Sequence, residues 1–207
     1  ITASTIGSGV FKETLGLKII SDAPSLIEIA PIVLICSPIF GVLAIFFMYS
    51  IRLGGKISKA TKLSPSYQIL FAALVCGSIG VFVPEILGLG TNEMNNIFAN
   101  QYEIVFLFII LVGKVFMTSL CIGFGFFGGI FAPALYVGAA GGGFIANSLI
   151  IMGFSLSLPA LALAGTAAVG AVAIGAPIAT TLIILEFTGS YEFAVAAMIA
   201  VQVSSFM

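Results

Sequence analysis

The sequence predicts an all-α membrane protein, and three observations support this fold class. Of its 207 residues, 60% are hydrophobic and only 7% are charged, whereas ordinary soluble domains carry roughly 25% charged residues. The mean hydropathy is +1.27. A small soluble domain has too little interior to bury that many apolar side chains. Finally, residues 115–185 contain no charged side chain. Since about 20 apolar residues span a bilayer as a helix, we expect about eight helices of unequal length in a multi-pass protein of the cell membrane.

Composition also excludes several functions. The chain has no His, which removes His-based zinc sites and Ser-His-Asp or Cys-His catalysis. A net charge of −1 gives no electrostatic case for nucleic acid. Cys36, Cys76 and Cys121 lie far apart in apolar runs and are interpreted as small buried hydrophobes, not as disulfides or metal ligands. We therefore expect no metal, no cofactor and no enzymatic activity.

The first element is an uncharged run, residues 29–51, which predicts one span despite Pro31 and Pro38. The positive-inside rule places the basic loop that follows in the cytoplasm; this loop contains Arg52, Lys56, Lys59 and Lys62. The mixed-charge segment before the span, residues 12–28, is then expected to face the other side.

A second uncharged run, residues 67–84, ends at Pro84-Glu85 and passes into a polar stretch, residues 90–103, before a third run begins at Ile104. Lys114 borders the uncharged block and is expected to extend to the membrane interface, with a role in an anion pathway as the alternative. The chain begins without Met and ends inside an apolar run, so we interpret it as a piece of a longer membrane protein.

Glycine and proline interrupt the uncharged block throughout. Backbone breaks in a membrane are tolerated only where they are buried in protein or line a water-filled cavity. The pattern therefore favours short, tilted or re-entrant helices packed together, as in transporters with discontinuous helices. Within the block, Gly138 and Gly142 have the small-xxx-small spacing of membrane helix contacts.

The segment 128–133, Gly-Gly-Ile-Phe-Ala-Pro, carries the candidate site. Glycines let the backbone approach an ion closely, and proline fits the first turn of a helix, where its missing N–H costs nothing. Free N–H groups and the positive end of the helix dipole can then bind an anion without a charged side chain. The candidate anion-binding residues are Gly129, Ile130, Phe131, Ala132 and Pro133.

This segment resembles the GxFxP motif of the CLC family of chloride channels and chloride/proton exchangers. The similarity continues through Gly165–Ala176, through Ala176-Pro177 to the Glu186-x-Thr188 end of the next run, and back to Val83-Pro84-Glu85. It implies that residues 1–207 form a single transmembrane region, comprising the end of the first inverted repeat and most of the second repeat of the CLC fold.

The resemblance implies passive or proton-coupled transport of chloride or a similar anion, which the N–H groups of Ile130 and Phe131 would hold. It also implies a homodimer with one pore per subunit, with residues 165–207 contributing to the dimer face. The family's serine loop, its Gly-Arg-Glu-Gly-Pro loop with the gating glutamate, and its late tyrosine are absent from this sequence. Whether the protein acts as a channel or as an exchanger is therefore left open.

Three other classes were weighed. A secondary transporter of another family could hold an organic anion at the same helix end. An intramembrane enzyme would need a nucleophile paired with a base, which Lys114, Ser119 and Ser148 do not offer at a convincing spacing. A structural subunit would have no need of broken helices. Glu186, after a long apolar run, is expected at a helix end, with a role in transport as the alternative.

Overall fold

The computed structural model describes residues 25–207, and this part of the chain is all α-helical, with eight α-helices and no β-strand. The mixed-charge segment lies almost wholly outside the described residues, so its side of the membrane stays a prediction. A single 3-10 turn, Pro84–Ile86, separates the second and third helices. The helices are α1 Leu26–Ala60, α2 Pro65–Phe82, α3 Thr91–Phe98, α4 Ile104–Gly123, α5 Phe131–Ile151, α6 Leu158–Ile174, α7 Pro177–Thr188 and α8 Tyr191–Ser205.

Helix α1 is one continuous element of 35 residues that passes through Pro31 and Pro38. The expected basic loop is therefore wrong in part: Arg52, Lys56 and Lys59 lie on the last turns of the helix. Lysine and arginine are good helix formers, and a basic side chain in the last turn complements the negative end of the dipole. The connection to α2 is accordingly short, and Lys62 lies within it.

Helices α5 and α6 form the centre of the described fold because glycines bring their backbones together. A Cβ on Gly142 would meet Leu161 O at 2.5 Å and Ala162 Cα at 2.7 Å, and a Cβ on Gly165 would meet Gly138 O at 2.5 Å. Real Cβ atoms do not approach so closely, so these positions require glycine. The predicted small-residue contact is confirmed, and its partner is α6.

Fewer glycines break helices than the sequence suggested. The breaks in the uncharged block occur at Gly125, Gly153 and Gly175, whose φ angles are 95°, 93° and 72°. Such left-handed backbone conformations cost glycine nothing and commonly end helices. Gly128 and Gly129 lie in the same break as Gly125, whereas the glycines from Gly138 to Gly143 and from Gly165 to Gly170 lie inside continuous helices. They pack helices together instead of interrupting them.

Among the residues that the structure describes, four helices are long and apolar enough to cross a membrane: 27–60, 65–82, 104–123 and 131–151. The other apolar helices, α6, α7 and α8, have 17, 12 and 15 residues. This agrees with the expected mixture of full spans and short helices, while the re-entrant arrangement and the inverted repeat stay predictions. The threonine hydroxyls of α6 and α7 donate to backbone carbonyls four residues earlier in the chain.

Helix α2 is attached to the rest of the fold more weakly than any other long helix. It contacts α4 and the 3-10 turn, and its fully buried positions are Ala72 and Gly80. Its apolar side chains otherwise face outward, as those of Leu74, Val81 and Phe82 do. A cleft between α2, α4 and the start of α5 follows from this loose attachment.

Candidate anion-binding site

The candidate site begins where α4 ends. The N–H of Phe126 donates to the carbonyl of Cys121 at 2.9 Å, and Gly125 adopts a left-handed conformation. These two features turn the chain out of α4 into the glycine pair Gly128-Gly129. Helix α5 then begins at Phe131, two residues earlier than Pro133. Pro133 therefore occupies the third position of the helix, still within its first turn, as the sequence predicted.

The start of α5 offers backbone donors. The bond from the Ala134 N–H to the Ile130 carbonyl, 3.0 Å long, is the first of the helical series. The N–H groups of Ile130, Phe131 and Ala132 precede it and have no intrahelical acceptor, as is general for the start of a helix. Pro133 has no N–H at all. The described geometry thus places the predicted donors, the N–H groups of Ile130 and Phe131, at the positive end of a 21-residue helix, together with the N–H of Ala132. Anion binding by these groups stays a prediction.

Space is available beside the start of α5. Gly128 and Gly129 are exposed, and a Cβ built on either would meet nothing within 4 Å. Packing therefore does not require glycine here, in contrast to Gly142. Both glycines and Pro133 line a cleft of about 520 Å³, whose other walls come from α2, α4 and residues 86–88. Ile130, Phe131 and Ala132 are half-buried beside it.

Lys114 lies in the wall of this cleft, which corrects the expectation that it extends to the membrane interface. The side chain is only 3% exposed. Its ammonium donates to the carbonyls of Ile86 and Gly88, both at 2.8 Å, and lies 4.7 Å from the centre of the Tyr136 ring. Burying an ammonium is costly unless it is hydrogen-bonded. The carbonyls and the electron-rich ring face provide that compensation.

The same contacts fix the segment before α3. The Tyr136 hydroxyl donates to the carbonyl of Glu85 at 3.1 Å, and Gly90 lies so close to the Tyr136 ring that a Cβ could not be placed there. Glu85 itself lies in the 3-10 turn, the break where the sequence placed it. Lys114 from α4 and Tyr136 from α5 thereby hold one wall of the cleft against the start of α5.

Two cysteines that the sequence separated meet in this cleft. Cys76 of α2 and Cys121 of α4 place their Sγ atoms 3.2 Å apart, and both line the cleft. Their separation in the sequence does not keep them apart in space, because α2 and α4 pack side by side. Both are free thiols but only partly buried, so the interpretation as buried hydrophobes is wrong for this pair. Cys36 is buried in α1, as expected.

Glu186 is not part of this arrangement. It is exposed in the last turn of α7, which agrees with the helix-end interpretation. Within the described residues, no group of three or more Cys, Asp or Glu side chains could hold a metal ion.

Comparison with known proteins assigns the family. The sequence model described as voltage gated chloride channel matches residues 1–207. The chain belongs to the voltage-gated chloride channel (CLC) family. As the family is one of channels and transporters, the protein is an integral, multi-pass membrane protein.

Individual CLC relatives show what the chain is similar to. It is 32% identical over 178 residues to the H(+)/Cl(-) exchange transporter ClcA of Vibrio cholerae, covering 83% of this chain and 38% of the relative. It is 31% identical over 147 residues to the voltage-gated ClC-type chloride channel ClcB of Escherichia coli, covering 70% of this chain and 35% of the relative. The chain thus spans well under half the length of these relatives.

Solved structures confirm the fold. A CLC-type fluoride/proton antiporter superposes with a TM-score of 0.81 at 24% identity, covering all of this chain and 50% of the antiporter. A slow cyanobacterial Cl-/H+ antiporter superposes with a TM-score of 0.77 at 23% identity, covering 92% of this chain and 45% of the antiporter. The all-α CLC fold predicted from the GxFxP-like segment is therefore correct.

Proposed function

We propose that the protein moves chloride or a similar anion across a membrane, and that this chain supplies the backbone donors at the start of α5. One observation carries the proposal: the start of α5, whose first N–H groups have no intrahelical acceptor, adjoins a cleft that is lined by Gly129, Pro133 and Lys114. The flanking Gly128-Gly129 backbone leaves room for an ion. The names of the relatives favour chloride, with protons as the second substrate if the protein is an exchanger.

The donors are suited to conduction because they hold an anion only moderately. One helix end favours an anion by about 0.3–1 kcal/mol, or about 2 kcal/mol when partly buried. An ion must bind well enough to enter the pathway but weakly enough to leave it. Lys114 adds positive potential, yet its hydrogen bonds to Ile86 and Gly88 keep it in the wall. It therefore attracts the anion without becoming a tight partner for it.

The lipid bilayer and a second copy of the chain are the proposed partners. Helices α7 and α8 carry exposed apolar side chains within residues 165–207, the segment that the family resemblance assigns to the dimer face. These side chains are Ile178, Leu182, Val195 and Met198. Light scattering of the full-length protein in detergent tests the assembly, and a monomeric mass would contradict it.

An acidic side chain at the helix start tests the site itself. In the full-length protein, Phe131→Glu places a negative charge beside the proposed anion and opposes the dipole, so chloride flux into liposomes should fall strongly. Met152→Glu is the matched control: Met152 is exposed at the opposite end of the same helix. Equal flux and anion selectivity in the two variants would refute the site.

The same liposomes separate chloride transport from the transport of an organic anion. Chloride uptake that persists in excess acetate or succinate supports the inorganic anion. Uptake of the carboxylate itself, with chloride excluded, would assign the helix end to an organic-anion transporter.

A further inference from the structure

We propose that Cys76 and Cys121 form an oxidation-sensitive pair whose disulfide joins α2 to α4 and restricts the anion cleft. The effect on transport rests on the proposed function, whereas formation of the disulfide does not. The two Sγ atoms are 3.2 Å apart and come from different helices, 45 residues apart in sequence. A disulfide needs the sulfurs at about 2.05 Å, so they must approach by about 1.2 Å.

The fold permits this approach because α2 is held loosely. It packs against α4 and the 3-10 turn, and only Ala72 and Gly80 are fully buried on it. Its other printed tie is near its start, two turns before Cys76, where the Gln68 side chain hydrogen-bonds Ser58 of α1. Elements with few buried contacts move at a small free-energy cost. A shift of α2 toward α4 therefore disturbs little else, while the tightly packed α5 and α6 stay in place.

Oxidants can reach the pair through the cleft. Both cysteines are partly exposed, and both line the open volume that also contains Gly128 and Gly129. Cys36, by contrast, is buried in α1. The two cysteines of the cleft should thus react together, while Cys36 is protected.

The chemistry needs a two-electron oxidant, for which hydrogen peroxide serves. One thiolate attacks the peroxide, breaking the O–O bond, becoming a sulfenic acid and releasing water after protonation. The second thiolate then attacks the sulfenic sulfur, forming the S–S bond and expelling hydroxide, which is protonated to a second water. Two thiols and one peroxide give one disulfide and two waters. Dithiothreitol reverses the bond by thiol–disulfide exchange.

The disulfide has a direct route to the anion site. The carbonyl of Cys121 accepts the N–H of Phe126 at 2.9 Å, the bond that starts the loop into Gly128-Gly129. Drawing Cys121 toward α2 thus acts on the anchor of that loop and narrows the cleft between α2 and α4. We expect oxidation to reduce anion flux and reduction to restore it.

The experiment has a chemical arm and a transport arm, both on the full-length protein in liposomes. After peroxide treatment, mass spectrometry of a non-reduced digest should find the peptides of Cys76 and Cys121 joined, two hydrogens lighter than their sum. In the transport arm, chloride flux is compared in each variant before and after peroxide. Wild type and Cys36→Ser should lose flux reversibly, and Cys76→Ser and Cys121→Ser should become insensitive.

The arms separate the possible failures. Absence of the joined peptide in wild type overturns the proposal without any variant having to fold. If the joined peptide forms but chloride flux is unchanged, the claim that the disulfide restricts transport is overturned. A joined peptide in a protein that shows no chloride flux even when reduced supports the thiol pair and contradicts the proposed function instead.

Discussion

Lys114 shows how one side chain can serve both the fold and the site. Its ammonium joins two carbonyls of residues 86–88 to α4, and it rests against the ring of Tyr136. The two carbonyls, of Ile86 and Gly88, lose their donor if the ammonium is removed.

We expect Lys114→Met to lower the free energy of unfolding by about 2 kcal/mol, because a buried carbonyl such as that of Ile86 costs about 1–3 kcal/mol when it is left without a donor. Thermal unfolding in detergent measures this. Lys114→Arg keeps the charge and several donors and should recover much of the stability and the chloride flux. If methionine and arginine behave alike in both assays, the charge of Lys114 has no role in the cleft.

Tyr136 allows a finer substitution. Tyr136→Phe removes only the hydroxyl that donates to the Glu85 carbonyl and keeps the ring beside Lys114. The net contribution of such a hydrogen bond is about 1 kcal/mol, so we expect a modest loss of stability. An unfolding temperature equal to that of wild type would show that water replaces the hydroxyl.

Residue-level prediction from the sequence succeeded where the information is local. Gly129 to Pro133 are consecutive, and the glycine pair with a proline inside the first turn specifies a helix start that the structure confirms. Lys114 was misplaced because its partners come from the 3-10 segment, which precedes it by more than twenty residues. The Cys76–Cys121 approach depends on how α2 packs on α4, and no pattern within either helix encodes it.

At the scale of elements, the candidate site is held in place by the glycine seam, the contact of Gly138 and Gly142 of α5 with α6 around Gly165. Helix α5 can present its first turn to the cleft only if the rest of the helix is fixed, and glycines fix it against the backbone of α6. Any side chain on the seam must push the two helices apart.

We therefore expect Gly142→Ala to destabilise the protein by about 1–3 kcal/mol, the usual cost of overpacking. Gly77→Ala is the matched control, since a Cβ at Gly77 of α2 meets nothing within 4 Å and alanine favours helix. Unfolding in detergent compares the two. A seam variant as stable as the Gly77 variant would mean that α5 and α6 are not in close contact.

The sequence predicted the long helices better than their ends. The uncharged runs correspond to α1, α2 and α4, and α4 begins at Ile104 as expected. The basic residues after the first run were assigned to a loop because charge indicates the membrane boundary, whereas a helix can continue beyond that boundary. Similarly, the number of glycines does not tell which of them end helices and which pack helices together. Gly175 ends a helix because of its backbone angles, and Gly165 packs because of its neighbours in space.

At the scale of the whole molecule, the chain matches 38% of the length of ClcA from Vibrio cholerae, and the proposed anion site draws on one helix start of this chain. Moving an isolated ion into a low-dielectric medium costs tens of kcal/mol, far more than one helix end returns. Several helix ends, hydroxyls and waters must converge on the ion.

We accordingly expect a polypeptide restricted to residues 1–207 to give no chloride flux in liposomes, while the full-length protein does. Circular dichroism of the reconstituted polypeptide tests whether it is helical, so that an absence of flux is not caused by misfolding. Flux through the short polypeptide would show that α5 needs no further helix ends.

The shortness of α6 bears on how the protein is made. A helix of 17 residues is about 26 Å long, less than the roughly 30 Å of hydrocarbon in a bilayer. Nearly every side chain of α6 is covered by α5, α8 and α1, so lipid is not its natural surrounding. During synthesis, α6 should therefore leave the translocon paired with α5 as a hairpin. The close contact at Gly138, Gly142 and Gly165 would then be needed for insertion into the membrane as well as for stability of the folded protein.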